Sequence, residues 1–274
     1  MNRAERVRAD PGPARPRWAW VFASIGALLV ALLALPLAVL IWTALSNELL
    51  TFLRDPSLQR AISLSILTSS ISVGVLLLLG TPLAYVLARW SFRGKVWVEL
   101  IIDLPLVLPP LIAGIALLLA FGRNGILGRP LDLVGLRLPF TTAAVVVAQV
   151  FVAGPLYVRT ARLGFAAVAP ELREAAAVEG ANEVQLFRYV MVPLARRALG
   201  SGLILAWARA FGEFGATIVF AGNMEGRTQT IPLAIFVGFE TNLGIALGLS
   251  LVLLVIAALV LLLLRWIGRG VPTA

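Results

Sequence analysis

The chain has 274 residues, of which 60% are hydrophobic and 14% are charged. This composition excludes a soluble globular domain, and apolar runs of about 20 residues are long enough to cross a bilayer. The absence of cysteine and histidine excludes disulfides, thiol catalysis and histidine-ligated metal sites, so no metal site is predicted. The net charge of +9 is attributed first to basic loops beside a membrane.

Six apolar segments follow a polar N-terminal tail. Residues 1–17 are rich in arginine and proline, which predicts a basic, disordered, cytoplasmic tail. Residues 18–274 are predicted to form a single transmembrane domain. Its spans are expected at about 18–45, 61–87, 104–121, 140–158, 198–221 and 242–266. The sequence therefore predicts an all-α integral membrane protein with six transmembrane helices, and a helical hairpin at 170–193 lies between the fourth and fifth.

The entry to the third span contains Pro105, Pro109 and Pro110. These prolines predict a bend or a break, which is tolerated at membrane depth when protein or a water-filled cavity satisfies the backbone. The alternative is that Pro109 and Pro110 only start a helix. Both interpretations stay open at this point.

The polar stretch 170–193 predicts a short helix, a turn and a second short helix. Pro170 suits a helix start, and Gly180 suits the left-handed residue that ends a helix. Asn182, followed three residues later by Gln185, is typical of a capping box that opens the next helix. Pro193 is expected to close that second helix.

The surface of this hairpin has two interpretations. Three alanines at 175–177 beside Val184, Phe187 and Met191 at helical spacing predict a flat shoulder next to an apolar ridge, a shape that fits a partner's groove. The alternative is an amphipathic loop that lies on the lipid surface or folds back on its own bundle.

The fifth span carries two charges, Arg209 and Glu213. They are four residues apart, so one helical face is expected to hold both, beside small residues at 208, 212 and 216. Charges at this depth face the bundle interior or a water-filled cavity. They are either a structural ion pair or residues that line or gate a pathway. In the sixth span, Gly244 and Gly248 form a GxxxG match, which indicates close packing only.

Basic residues set the orientation. With the N-terminus inside and six spans, most of the Lys and Arg residues fall in inner segments. The hairpin and both termini are therefore predicted to be cytoplasmic. The basic excess follows from this topology, so no nucleic-acid partner is predicted.

The spacing of the hairpin resembles the EAA loop of ABC importer membrane subunits, the element that docks into the ATPase. The positions in register are Glu174, Ala175, Ala176, Gly180, Val190, Val192 and Pro193. Glu179 departs from the pattern, since relatives usually have an apolar residue just before the glycine. The resemblance implies that these seven positions couple the membrane subunit to ATP hydrolysis.

Further motifs extend the resemblance over roughly residues 61–268. The segments 80–89, 103–110, 207–217 and 227–234 resemble the permease of molybdate, tungstate and sulfate ABC importers. This resemblance implies a subunit of the cytoplasmic (inner) membrane that pairs with a second permease copy, commonly as a homodimer. It also implies two cytoplasmic ATPases, which carry ATP and Mg, and an extracytoplasmic substrate-binding protein.

The leading hypothesis is a non-enzymatic permease subunit that imports an oxyanion, molybdate first, by alternating access. Tungstate and sulfate or thiosulfate are alternatives within the family. The chain has no Walker glycine loop, so ATP hydrolysis is expected on another polypeptide. An ion-driven secondary transporter would need internal repeats and more intramembrane charges than Arg209 and Glu213. An intramembrane enzyme would need a catalytic constellation that the sequence lacks.

Overall fold

A computed structural model describes residues 17–46 and 56–268, and every regular element in these ranges is a helix. The predicted all-α membrane fold is confirmed. In chain order the helices are α1 (Arg17–Ser46), α2 (Pro56–Arg89), α3 (Lys95–Val107), α4 (Pro110–Phe121), α5 (Gly128–Leu133), α6 (Thr142–Ala166), α7 (Pro170–Val178), α8 (Glu183–Phe211), α9 (Gly215–Phe220), α10 (Ile231–Thr241) and α11 (Leu243–Gly268). The predicted basic tail lies outside the described residues except for Arg17.

Five of the described helices are long and apolar enough to cross a membrane: α1, α2, α6, α8 and α11. The chain divides into two units, 1–47 and 48–274. In the first unit, α1 is a single 30-residue helix that contains Pro36. Most of its apolar side chains are exposed, as expected of a helix that meets lipid rather than water. The other four spanning helices belong to the second unit.

The predicted third span is not one continuous helix. It consists of the end of α3, which runs through Pro105 to Val107, and of α4, which starts at Pro110. Leu108 and Pro109 between them are extended, because the residue before a proline is pushed out of the helical region. The bend or break and the helix start at Pro110 are thus both present, and α4 alone has only 12 residues.

Helix α6 is the centre of the second unit and packs against α2, α3, α4, α8 and α9. Buried polar side chains join it to α2. Gln149 accepts a hydrogen bond from Ser72 Oγ at 2.9 Å and donates one to Thr68 Oγ1 at 3.2 Å. Ser65 Oγ accepts the backbone N–H of Ile231 at 2.7 Å, which ties the start of α10 to α2. In lipid, such interhelical hydrogen bonds and small residues replace the hydrophobic effect as the source of specific packing.

Two predicted boundaries near the C-terminus were wrong. The fifth span was expected as one helix over 198–221, but α8 ends at Phe211 and a separate short helix, α9, covers Gly215–Phe220. The last two spans were expected to be joined by a stretch without a helix of its own, but α10 occupies Ile231–Thr241 between them. Helix α10 packs on α11 and α2, so its stability comes from tertiary contacts that the sequence pattern does not display.

Candidate functional site

The hairpin turns at Gly180. Helix α7 begins at Pro170 and ends in a Schellman motif, in which the N–H of Ala181 binds the carbonyl of Ala176 and the N–H of Gly180 binds that of Ala177, both at 3.0 Å. Gly180 has a φ of +81°, a conformation that costs little only without a Cβ. The predicted glycine cap is confirmed.

The second helix of the hairpin opens with the predicted capping box. Asn182 Oδ1 accepts the N–H of Gln185 at 2.9 Å, and Gln185 Oε1 accepts the N–H of Asn182 at 2.9 Å. Two donors that would otherwise be orphaned at the helix start are thereby satisfied. Together with the Gly180 cap, this box sets the angle between α7 and α8 through contacts only three to five residues apart.

Pro193 does not close the second helix, contrary to the prediction. Helix α8 is continuous from Glu183 to Phe211 and passes through a π-helical turn at Leu186–Met191. The N–H of Val192 binds the carbonyl of Phe187, five residues back. A π turn just before a proline widens the helix where the ring would otherwise meet the preceding turn, so the helix continues. The hairpin is therefore continuous with a long helix of the bundle.

Two of the three residues of the expected apolar ridge, Phe187 and Met191, face the protein rather than a partner. Met191 is buried and Phe187 is half-buried within the core, whereas Val178 and Val184 are 86% and 73% exposed. Of the positions in register with the EAA loop, Glu174, Ala175, Gly180 and Pro193 are exposed, and Ala176, Val190 and Val192 are half-buried. The outer surface of the hairpin thus consists of α7, the turn and the first residues of α8.

A contact that the sequence analysis missed joins the hairpin to α2. Tyr85 Oη donates a hydrogen bond to Glu183 Oε2 at 3.2 Å, and Arg89 Nη2 lies 3.7 Å from Glu183 Oε1. The Tyr85 ring also packs on Phe187 and Phe165, with centroid distances of 4.9 and 5.5 Å. The sequence held two hints of this contact: Glu183 lies in the first turn of the helix that the capping box opens, and Tyr85 lies in the motif at 80–89.

Arg209 and Glu213 lie together, but at the end of a helix rather than along one. Arg209 Nη1 is 2.7 Å from Glu213 Oε2. Glu213 follows the last turn of α8, and its Oε1 accepts the N–H of Ala216 at 2.8 Å, so the carboxylate caps α9. The Glu213 side chain is 1% exposed and that of Arg209 31%. Both carboxylate oxygens are satisfied, which is what a buried charge requires. The small-residue stripe at 208, 212 and 216 does not form, because the helix is interrupted between 211 and 215.

The two interrupted helices meet at their breaks. A Cβ on Gly215 would lie 2.7 Å from Pro110 Cβ, and one on Gly114 would lie 2.7 Å from Val219 Cβ. Real Cβ atoms do not approach this closely, so both glycines are needed for the contact between α4 and α9. The Arg209–Glu213 pair is therefore next to a tightly packed point where two discontinuous helices cross.

A separate pocket of about 210 Å³ lies between the end of α4 and the following segment 122–140, which contains α5, and it is lined by Leu118, Arg123, Asp132, Arg137 and Phe140 among others. Arg137 Nε donates to Asp132 Oδ1 at 2.6 Å, and this bond holds the pKa of Asp132 below its usual value. Asp132 and Arg137 thus bind each other, and Arg123 is a further charged residue in the lining.

The comparisons with known proteins agree with this architecture. Residues 80–272 match the family model described as the binding-protein-dependent transport system inner membrane component. The molybdenum transport system permease protein ModB of Mycobacterium tuberculosis is 41% identical over 247 residues, which cover 90% of this chain and 92% of that protein. The probable transport system permease protein NifC of Clostridium pasteurianum is 37% identical over 247 residues, 89% of this chain and 86% of the relative.

More distant matches show a related permease and the fold. The sulfate transport system permease protein CysW of Synechococcus elongatus is 35% identical over 239 residues, 83% of this chain and 84% of that protein. A chain of a bacterial ABC transporter involved in alginate import superposes with a TM-score of 0.71 at 16% identity, over 93% of this chain and 96% of that one. The chain therefore belongs to the family of inner membrane components of binding-protein-dependent transport systems.

Proposed function

We propose that this chain is the membrane-spanning subunit of an ATP-driven importer that carries molybdate across the cytoplasmic membrane. The observation that carries the proposal is the 41% identity to a molybdenum transport permease over 90% of the chain. The chain itself is a transport subunit, and ATP hydrolysis takes place on a separate polypeptide. Sulfate is the second candidate, because a sulfate permease is 35% identical over 83% of the chain. Tungstate and thiosulfate share the chemistry of a tetrahedral oxyanion and belong in the same test.

The proposed assembly contains a second copy of this chain, two cytoplasmic ATPases that hold ATP and Mg, and an extracytoplasmic binding protein. Support for the binding protein comes from the family description and from an alginate transporter solved in complex with its periplasmic protein. The proposed orientation places both termini and the hairpin in the cytoplasm. The basic residues of the predicted inner segments support this orientation.

The hairpin is proposed to couple ATP hydrolysis to transport. Seven residues carry this role: Glu174, Ala175, Ala176, Gly180, Val190, Val192 and Pro193. Three features support it. The outer surface of the hairpin is exposed, its turn is held by local caps, and α8 continues from it into the bundle without interruption. A displacement of the hairpin therefore also displaces a spanning helix, because no flexible loop separates the two.

Arg209 and Glu213 are proposed to stabilise the break between α8 and α9, because Glu213 binds Arg209 of α8 with one carboxylate oxygen and the N–H of Ala216 in α9 with the other. The burial of Glu213, together with its cap on Ala216 N, supports a structural ion pair over a substrate contact for the carboxylate. The Arg209 side chain is 31% exposed, so it is far more accessible than Glu213. A role for Arg209 on the oxyanion pathway is the second part of this proposal.

In the proposed mechanism, closure of the ATPases displaces the hairpin, and α8 moves with it. Because α4 and α9 pack tightly at Gly114 and Gly215, movement of α8 relative to α9 is taken up at residues 212–214, the segment that separates the two helices. The discontinuous helices thus provide the hinge for alternation between outward and inward states.

The substrate is tested with the assembled complex in proteoliposomes. The ATPase activity stimulated by the binding protein is measured with molybdate, tungstate or sulfate, together with uptake of each anion. We expect molybdate to stimulate hydrolysis and to accumulate inside. Uptake of sulfate without uptake of molybdate would assign the chain to the sulfate branch, and uptake that persists without ATP would contradict the importer proposal.

A further inference from the structure

The helix α2 is not attached to the hairpin through the chain. The hairpin is linked covalently to α6 through residues 167–169 and is continuous with α8, whereas Tyr85 and Glu183 are separated by 98 positions. Movement of the hairpin therefore reaches α6 and α8 through the backbone. It reaches α2 only by packing: α2 packs along α6 and α8, and its C-terminal end, which carries Tyr85, also contacts the first turn of α8.

Helices α6 and α8 are locked to each other. A Cβ on Gly164 would collide with Ala198, and one on Gly202 would lie 3.1 Å from Thr160 Cβ. Close backbone contact of this kind leaves no room for one helix to slide past the other. The two helices consequently respond to the hairpin as one body, and α2 is the spanning helix beside them whose connection to the hairpin has to be made by packing.

Tyr85 makes that connection. Its ring is 6% exposed and lies against Phe165 of α6 and Phe187 of α8, while its hydroxyl reaches Glu183 in the first turn of α8. Arg89, one turn further along α2, approaches the other oxygen of the same carboxylate. Tyr85 of α2 is thus held by one ring contact to α6, and by one ring contact and one hydrogen bond to α8, the helix that begins in the hairpin.

We propose that Tyr85 is the positioning residue that makes the C-terminal end of α2 follow the coupling hairpin, with Glu183 as its polar partner. The inference rests on the proposed coupling role of the hairpin. The aromatic contacts carry most of the connection, because the Arg89–Glu183 pair is 3.7 Å long and Glu183 is 57% exposed, where an ion pair contributes little. Loss of the ring lets the C-terminal end of α2 move independently of the hairpin, whereas loss of the hydroxyl alone only weakens the contact between them.

The first experiment measures the molybdate transported per ATP hydrolysed by the full complex in proteoliposomes. Tyr85→Leu is expected to lower this ratio by about tenfold, since the aromatic pairs with Phe165 of α6 and Phe187 of α8 are lost. Tyr85→Phe and Glu183→Gln are each expected to lower it by about twofold. Tyr157→Phe is the matched control. It removes a buried hydroxyl that joins α2 to α6 through Thr81 without touching the hairpin, and the ratio is expected to stay unchanged.

The second experiment measures movement directly. The chain has no cysteine, so spin labels are placed on Val178→Cys in α7 and Val86→Cys in α2, both exposed positions. Labelled subunits are diluted into unlabelled ones, so that only distances within one chain contribute. In the parent chain this distance is expected to be the same with and without ATP, because the hairpin and the inner end of α2 move together. In Tyr85→Leu it is expected to change between the two states.

The outcomes separate this inference from the coupling proposal. Gly180→Val is measured in the same assay. If Gly180→Val lowers the ratio and Tyr85→Leu does not, the hairpin couples transport but Tyr85 does not transmit its motion. If Gly180→Val has no effect, the coupling proposal itself fails. If Tyr85→Leu does not assemble, Tyr85→Phe and Glu183→Gln remain, because the first retains the ring and the second changes an exposed side chain. Normal transport ratios in both of these variants would overturn the polar part of the connection. A distance between the two labels that changes with ATP in the parent chain would overturn the whole inference.

Discussion

Gly180→Val is the most direct test of the proposed coupling role of the hairpin, and the structure sets the size of the expected effect. No atom lies within 4 Å of the position of a Cβ on Gly180, so the substitution meets no steric clash in this chain. The cost is confined to the backbone, because φ is +81°. A residue with a Cβ pays about 1–2 kcal/mol in the left-handed conformation, and a β-branched residue pays more. The fraction of hairpins with the native turn, and with it the apparent affinity for the ATPase, should fall by at least about fivefold.

The assay compares three variants in proteoliposomes that contain the ATPase and the binding protein. Gly180→Val is expected to weaken association with the ATPase or to leave hydrolysis running without transport. Gly180→Asn is expected to be milder, because asparagine is the residue other than glycine that most often occupies this cap. Gly200→Val introduces the same side chain in α8 at a helical position that is also free of neighbours within 4 Å, so it controls for the added bulk.

A Gly180→Val complex that transports at the parent rate would refute the coupling role of the hairpin. The same conclusion would follow if Gly200→Val were as harmful as Gly180→Val, because the effect would then come from the valine and not from the turn. Insertion of the spans should be unaffected in all three variants, since no apolar surface of a spanning helix is removed.

Three further predictions follow from the topology and the helix breaks. Ala177→Cys and Arg227→Cys in this cysteine-free chain should react with a membrane-impermeant reagent from opposite sides, and same-side labelling would contradict the six-span topology. Arg209→Ala and Glu213→Ala should be non-additive, with the double variant about 0.5–3 kcal/mol more stable than the sum of the singles predicts in thermal unfolding, whereas additivity would favour a pathway role for one residue. Gly215→Ala should destabilise the solubilised chain by about 1–3 kcal/mol through overpacking at the α4 contact, and an unchanged melting temperature would contradict that contact.

The sequence by itself determined the membrane class, the all-α fold and the caps of the hairpin. The Gly180 turn and the Asn182–Gln185 box depend on hydrogen bonds between residues three to five apart, so the residues that decide them are visible together in the chain. Apolar runs likewise carry their own signal, because a bilayer requires each spanning backbone to satisfy its own hydrogen bonds.

Only the tertiary structure decided where α8 ends, that it continues through Pro193, and what Glu213 contacts. The break before α9 depends on the packing of Gly215 against Pro110, residues about a hundred positions apart, and the helical period of the sequence runs on across it. Tyr85 and Glu183 are brought together in the same way by the packing of α2 against the start of α8. Such long-range contacts are set by the fit of whole helices, and no local pattern of residue types records which surfaces will meet.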